Sequence, residues 1–262
     1  MPGHNLISAP QLSRLIGSPE APAILDVRLP EDLAALPRLI PGSVVVPHDM
    51  MDPVSLTGRR AVVVCMRGKK LSEGAAALLR LQGIPAEVLD GGSAAWAEAA
   101  LPMVPMDALP SSHLWVTRHR PKIDRIACPW LIRRFVDPGA RFLFVAPSEV
   151  QAVADRFNAT PFDIDGVLWS HRGDRCTFDT MVEAFGLSTP ALERLATVVR
   201  AADTDRHDLA PQAAGLLAVS VGLSRLFRDD LQQLEAGMIL YDALYRWARD
   251  GHDEGHDWPA GR

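Results

Sequence analysis

The chain has 262 residues, of which 48% are hydrophobic and 23% charged, and a formal net charge of −5. Such a length suits two domains rather than one core, and the composition is that of an ordinary soluble globular protein. The acidic balance excludes general nucleic-acid binding by long-range attraction, so no direct nucleic-acid partner is expected. Cys65, Cys128 and Cys176, the three cysteines, stand far apart with no C-x-x-C pair, which fits a reducing compartment rather than a disulfide framework or zinc knuckle. The N-terminus lacks a basic region leading into an apolar run. The longest apolar helical stretch, 213–223, is too short for a bilayer, so a cytoplasmic protein without membrane contact is expected.

From the N-terminus, Ser8 to Ile16 combines a capping residue, an early proline and helically spaced apolar residues, which predicts a short helix. Residues 23–28 read as a buried strand ending in a charged pair, Asp26 and Arg28, and 39–47 as a turn followed by a second strand. The apolar run 61–64 predicts a strand buried on both faces, and the Ala/Leu-rich run after Ser72 a helix, so Cys65 falls at a strand-to-helix turn. There the amides of a tight loop and the positive end of the helix point at the sulfur, and Arg67, Lys69 and Lys70 add full charges. Those surroundings favour thiolate over thiol. Residues 86–92 form a strand entering a glycine turn, and 93–99 a further helix. Strands alternating with helices imply a parallel sheet covered on both faces, with the functional loop at the carboxyl ends of its strands.

The order Leu-Asp-Val-Arg (25–28), Ile-Pro-Gly-Ser (40–43), Val-Val-Cys-x-x-Gly-x-Lys (63–70) and Leu-Asp-Gly-Gly-x-x-x-Trp (89–96) resembles a single-domain rhodanese. The resemblance implies an α/β rhodanese-like domain over 1–105 and a thiosulfate sulfurtransferase-like enzyme. Cys65 would attack a small sulfane donor, carry the sulfur as a persulfide and pass it to a thiol or cyanide, with no cofactor required. It places the sulfur-cradling loop at Met66, Arg67, Gly68, Lys69 and Lys70, with Asp26 and Arg28 as a structural pair nearby. The same fold also hosts arsenate reductases and dual-specificity phosphatases, and those phosphatases resemble one another in a loop one residue longer that closes on arginine. Here Lys70 closes the loop and Leu71 stands where that arginine would fall, which favours sulfur over phosphate or arsenate. Lysine in place of the arginine of many rhodaneses is a departure that bears on donor choice.

Residues 100–112 contain three prolines and little periodicity, which predicts a stiff linker, bounded at 106–113. In the second half, strands are expected at 113–119, 142–145 and 167–171. Helices are expected at 124–135, with Pro129 kinking the run, 148–157, 178–185, 189–202, 212–227 and 230–247, giving a mainly helical α+β domain over 114–250 before a polar tail, 251–262. Trp-Val-Thr-Arg (115–118), the run 121–135, Ala-Thr-Pro-Phe-Asp-Ile (159–164), Cys-Thr-Phe-Asp (176–179), 209–216 and Tyr-Asp-Ala-Leu-Tyr (241–245) resemble the C-terminal domain of the chromate-resistance protein ChrB. That resemblance implies a place in a bacterial chromate-resistance system. A rhodanese stands where the regulator form carries its DNA-binding part, so a repressor role does not follow.

Two chemistries suit this half. Arg118, Lys122 and Arg125 lie in a locally basic run broken only by Asp124, and suit a tetrahedral dianion such as chromate. Alternatively His171, Cys176, Asp203 and Asp242 act as general bases or ligands of a divalent metal, a buried carboxylate needing a cation or a metal. For Asp242 an ion pair with Arg118 or Arg200 is the competing expectation, and for His171 a hydrogen-bonded core histidine. Cys128, before Pro129 and Trp130, is read as core, with a redox role as the alternative. Besides the sulfurtransferase, the sequence leaves open a non-catalytic chromate sensor with the rhodanese as a docking or redox module, and a metal-dependent enzyme in the second domain.

Overall fold

In the computed structural model, which describes residues 5–255, the first half is a five-stranded parallel sheet with helices on both faces. Its elements are β1 (Leu6–Ile7), α1 (Ala9–Leu15), β2 (Ala23–Asp26), α2 (Pro30–Ala35), β3 (Arg38–Leu39), β4 (Ser43–Val45), β5 (Ala61–Val64), α3 (Lys70–Leu81), β6 (Ala86–Leu89) and α4 (Gly92–Glu98). The strand order is β1-β6-β5-β2-β4, with Asp26 level with Val64 across the β2–β5 ladder. Every residue of β5 is fully buried, as a central parallel strand covered on both faces requires. Along it, Val62 and Val64 face one core, while Ala61, Val63 and Cys65 face the other beneath α3. Helix α3 buries Ser72, Ala75, Ala76 and Leu79, the i, i+3, i+4, i+7 stripe that lays it on the sheet.

The first helix starts as its sequence suggests: Ser8 and Gln11 form a reciprocal capping box, with Pro10 in the first turn. The proline-rich stretch forms β7 (Val104–Pro105), paired antiparallel with β3, and a single 3₁₀ turn over Met106–Ala108. It does not hold the halves apart. One core runs from Leu12, Ile40 and Trp96 into Trp130, Phe135 and Tyr245, and the Gly42 amide donates to the Phe135 carbonyl at 2.6 Å. Gly17, at φ +80, lies so close to the rings of Phe135 and Tyr245 that a Cβ would run into them.

The second half contains β8 (Leu114–Arg118), α5 (Asp124–Leu131), β9 (Arg141–Val145), α6 (Val150–Phe157), β10 (Thr160–Pro161), α7 (Thr177–Ala184), α8 (Pro190–Asp203), α9 (Gln212–Leu226) and α10 (Asp230–Arg246). Its sheet is parallel in the order β10-β8-β9. The strand expected at 167–171 is not formed. Gly166 turns the chain at φ +80, and Trp169 makes one bridge to Phe162 while stacking on Phe185 at 4.7 Å. The third strand is the shorter Thr160–Pro161. Pro129 sits inside α5, and the run 124–135 changes to a wider π-helical turn at Ile132–Val136, a common way to absorb a break in the helical ladder. Of the polar tail, the stretch from 256 onward, including His256, lies outside the described residues.

Candidate functional site

Cys65 follows β5 directly, at the carboxyl edge of the sheet. The thiol lies 3.1 Å from the Ser72 hydroxyl and donates to the Lys69 carbonyl oxygen at 3.3 Å. Burial opposes ionisation, but the Ser72 hydroxyl and the main-chain amides of Ser72, Lys69 and Arg67 outweigh it and hold the thiol pKa below its ordinary value. Of the two influences expected, the loop amides bear on the sulfur, joined by the Ser72 hydroxyl, whereas the charged side chains of Arg67, Lys69 and Lys70 are exposed. Ser72 was legible as the residue opening the helical run, yet its role as a partner of the sulfur was not. Cys65 is 7% exposed, so the sulfur is nearly enclosed by its loop.

The loop is clamped from the far side by α4. The Ser93 amide donates to the Cys65 carbonyl and the Ala94 amide to the Met66 carbonyl, each at 3.0 Å. Such an approach leaves no room for a side chain on the Gly-Gly turn. A Cβ on Gly92, at φ +63, would run into the Cys65 carbonyl oxygen, and one on Gly68, at φ +65, into the Leu89 carbonyl oxygen. Lys70 enters α3 at φ +26, a strained value for a side-chain-bearing residue. Asp26 and Arg28 form a fully buried pair at 2.7 Å, and Arg28 also donates to the Leu36 and Arg38 carbonyls, so both charges are satisfied.

In the second half, the carboxyl ends of the parallel strands gather a different set of groups. Arg118 ends β8, and its Nη2 donates to Asp163 Oδ2 at 2.7 Å; Arg125 Nε lies 3.2 Å from the same oxygen. Two of the three residues expected to hold an oxyanion are thus turned onto a carboxylate, while Lys122 is exposed. Burial works against ionised Asp163, but His171, Arg118 and Arg125 hold its pKa below the usual carboxylate range.

His171 Nε2 stands 3.2 Å from Asp203, 3.4 Å from Asp124 and 3.5 Å from Asp163. Those carboxylates push the imidazole pKa up to about 12, and burial pushes Asp124 up to about 8. Asp124 and Asp163 were not among the ligands expected from sequence; the signal available was a lone acid opening a helix inside a basic run.

The other expected ligands go elsewhere. Asp242 takes a two-toothed grip from Arg134, at 2.8 Å for each oxygen, and a hydrogen bond from Trp130 Nε1, which places it in an ion pair with Arg134 rather than with Arg118 or Arg200. Arg200 pairs with Asp179. Cys176 is fully buried and caps α7 together with Asp179, whose carboxylate accepts from its amide at 3.0 Å. Burial pushes the Cys128 and Cys176 thiols well up, so neither is poised to react.

A parallel sheet that ends in a cysteine enclosed by a tight amide loop defines a rhodanese-like domain, and a rhodanese-like domain model matches residues 8–99. The model described as ChrB, C-terminal domain, matches residues 115–248, about half of the sequence, and the chain belongs to that family. Over 133 residues it is 40% identical to Protein ChrB of Cupriavidus metallidurans, a match covering 50% of this chain and 39% of that protein. The chain thus spans about two fifths of the length of that relative.

Among solved structures, it is similar to thiosulfate sulfurtransferase from Pseudomonas aeruginosa at 28% identity and TM-score 0.35, covering 41% of this chain and 21% of that one. A rhodanese-related protein from Thermoplasma volcanium is similar at 24% identity and TM-score 0.32, covering 38% of this chain and 98% of that one. No helix among the described residues is long and apolar enough to cross a membrane.

Proposed function

We propose that the chain is a rhodanese-type sulfurtransferase whose sulfur carrier is Cys65 and that it serves in chromate resistance. The observation that carries the first part is the set of hydrogen bonds from Ser72 and the loop amides, which favours a thiolate at Cys65. The thiolate attacks the outer sulfur of a donor such as thiosulfate. A bond forms between Sγ and that sulfur, the donor's S–S bond breaks, and sulfite leaves with the electron pair. An acceptor thiolate or cyanide then attacks the outer persulfide sulfur and returns Cys65 as thiolate. Amide dipoles already directed at the sulfur need no reorganisation as charge moves between the two sulfur atoms. The chromate-resistance part rests on membership of the ChrB C-terminal family.

Thiosulfate-to-cyanide transfer by the wild type and Cys65→Ser tests the activity: turnover is expected from the wild type alone. Absence of any Cys65-dependent turnover would favour a docking or redox-sensing module. Complementation of a chromate-sensitive strain with the two forms tests the role, with loss of protection expected for Cys65→Ser.

A further inference from the structure

We propose that Asp124, Asp163 and His171 bind a divalent first-row transition ion of the Mn²⁺ or Zn²⁺ kind, with Asp203 at the rim and at least one coordination position open to solvent. Each of the three offers one ligand atom, and the three atoms lie within 4.8 Å of one another. They come from separate parts of the chain: the first residue of α5, the residue after β10 and its extension, and the loop before α7. His171 Nε2 is 3.4 Å from Asp124 Oδ2 and 3.5 Å from Asp163 Oδ1. Ligands held about 2.1 Å from a tetrahedral ion stand about 3.4 Å from each other. The nitrogen-to-oxygen separations are therefore those of a coordination sphere, and they are too long for good hydrogen bonds.

A second observation points the same way. The Asp124 side chain is 3% exposed, and its Oδ2, the atom facing His171, has no hydrogen-bond partner among the described residues. An orphaned buried carboxylate oxygen is costly, and an imidazole has one Nε2 proton to offer three carboxylates. A cation at their centre would satisfy all of them together. The supporting contacts are of the kind that orient ligands: Thr177 Oγ1 donates to Asp163 Oδ1 at 3.0 Å, and Arg118 and Arg125 hold Asp163 Oδ2. Two carboxylates and one imidazole mix the donors preferred by Mn²⁺ with those preferred by Zn²⁺ and Fe²⁺, and three protein ligands leave room for water or substrate. The side chain of His171 is 41% exposed, which supplies the way in.

Untagged full-length protein, stripped with chelator and reloaded with Mn²⁺ or Zn²⁺ in separate samples, tests this by metal analysis after gel filtration and by titration calorimetry. About one ion per chain is expected, retained in Asp242→Asn and in the double variant His252→Ala/His256→Ala, with affinity at least tenfold weaker in Asp124→Asn and His171→Ala. In the Mn²⁺ sample, pulsed paramagnetic resonance should show coupling to an imidazole nitrogen that is lost in His171→Ala. Should Asp124→Asn fail to fold, His171→Ala carries the test, because its side chain is partly exposed. Folded wild type that retains no ion, binding unchanged in His171→Ala, or binding lost with the tail histidines would each overturn the assignment. The first of these would leave a protonated His171 as what holds the three carboxylates together.

Discussion

The Cys65 sulfur and the Ser72 hydroxyl are 3.1 Å apart across the first turn of α3, so once the thiol has lost its proton the helix that follows the loop has a side-chain hydroxyl within reach to donate to the sulfur. In Ser72→Ala that hydrogen bond is lost while the amides of Arg67 and Lys69 remain. Alkylation of Cys65 at neutral pH should slow about 3–10-fold, sulfur accepting hydrogen bonds at the weak end of the range for charged acceptors. Stopped-flow iodoacetamide kinetics against pH would show the midpoint displaced upward relative to the wild type.

The same depressed pKa has a stability consequence with a definite sign. Between the folded pKa and the ordinary thiol value, the unfolded chain binds more protons at Cys65 than the folded one, so stability rises with pH through that window. The contribution is fully present above the unfolded value and lost as pH falls through the folded one. Denaturant unfolding of the wild type and Cys65→Ser across this range should show that extra slope only in the wild type.

Gly92 meets the Cys65 carbonyl where no Cβ fits, and it holds φ +63. Gly92→Ala should therefore cost about 2–4 kcal/mol from left-handed strain and overpacking, and push the loop off α4. Circular dichroism melts and sulfur-transfer assays should fall together, whereas Gly74→Ala, in an open position on α3, should leave both near wild type.

Removing Arg28 from the buried pair leaves the Asp26 carboxylate without its counter-charge, with only the main-chain amide of residue 28 still donating to it. Arg28→Ala also strips the Leu36 and Arg38 carbonyls of their donors, so a loss of about 3–5 kcal/mol is expected in urea unfolding.

Of the three cysteines, one should react. Cys128 and Cys176 are fully buried with pKa values pushed up, while the Cys65 thiol is held below its ordinary value. Limited alkylation of native protein followed by peptide mass mapping should find the label on Cys65 alone; label on Cys128 or Cys176 at a comparable rate would contradict the electrostatic assignment.

The first half was legible because its signals are local. The apolar run 61–64, the cysteine and the glycine-bearing turns at Gly68 and Gly91–Gly92 each specify a piece of backbone that neighbouring residues complete. What stayed hidden there was that Arg67, Lys69 and Lys70 are exposed, and that Ser72 joins the loop amides already expected at the sulfur, since sequence does not show which way a side chain faces. In the second half the deciding contacts span long separations. Asp242 meets Arg134 across 108 positions, and the pairing of Asp163 with Arg118 spans 45. Periodicity placed the helices but could not choose among the buried acids and their partners, and it read Val167 to His171 as a strand although Gly166 turns the backbone there.

The most direct measurement is the intact mass of the protein after incubation with thiosulfate and removal of excess donor. The account predicts that the wild type gains the mass of one sulfur atom, located on the Cys65 peptide and removed by cyanide with release of thiocyanate, while Cys65→Ser gains nothing. A wild-type chain that stays at its original mass, or one whose added sulfur resides on Cys128 or Cys176, would contradict it.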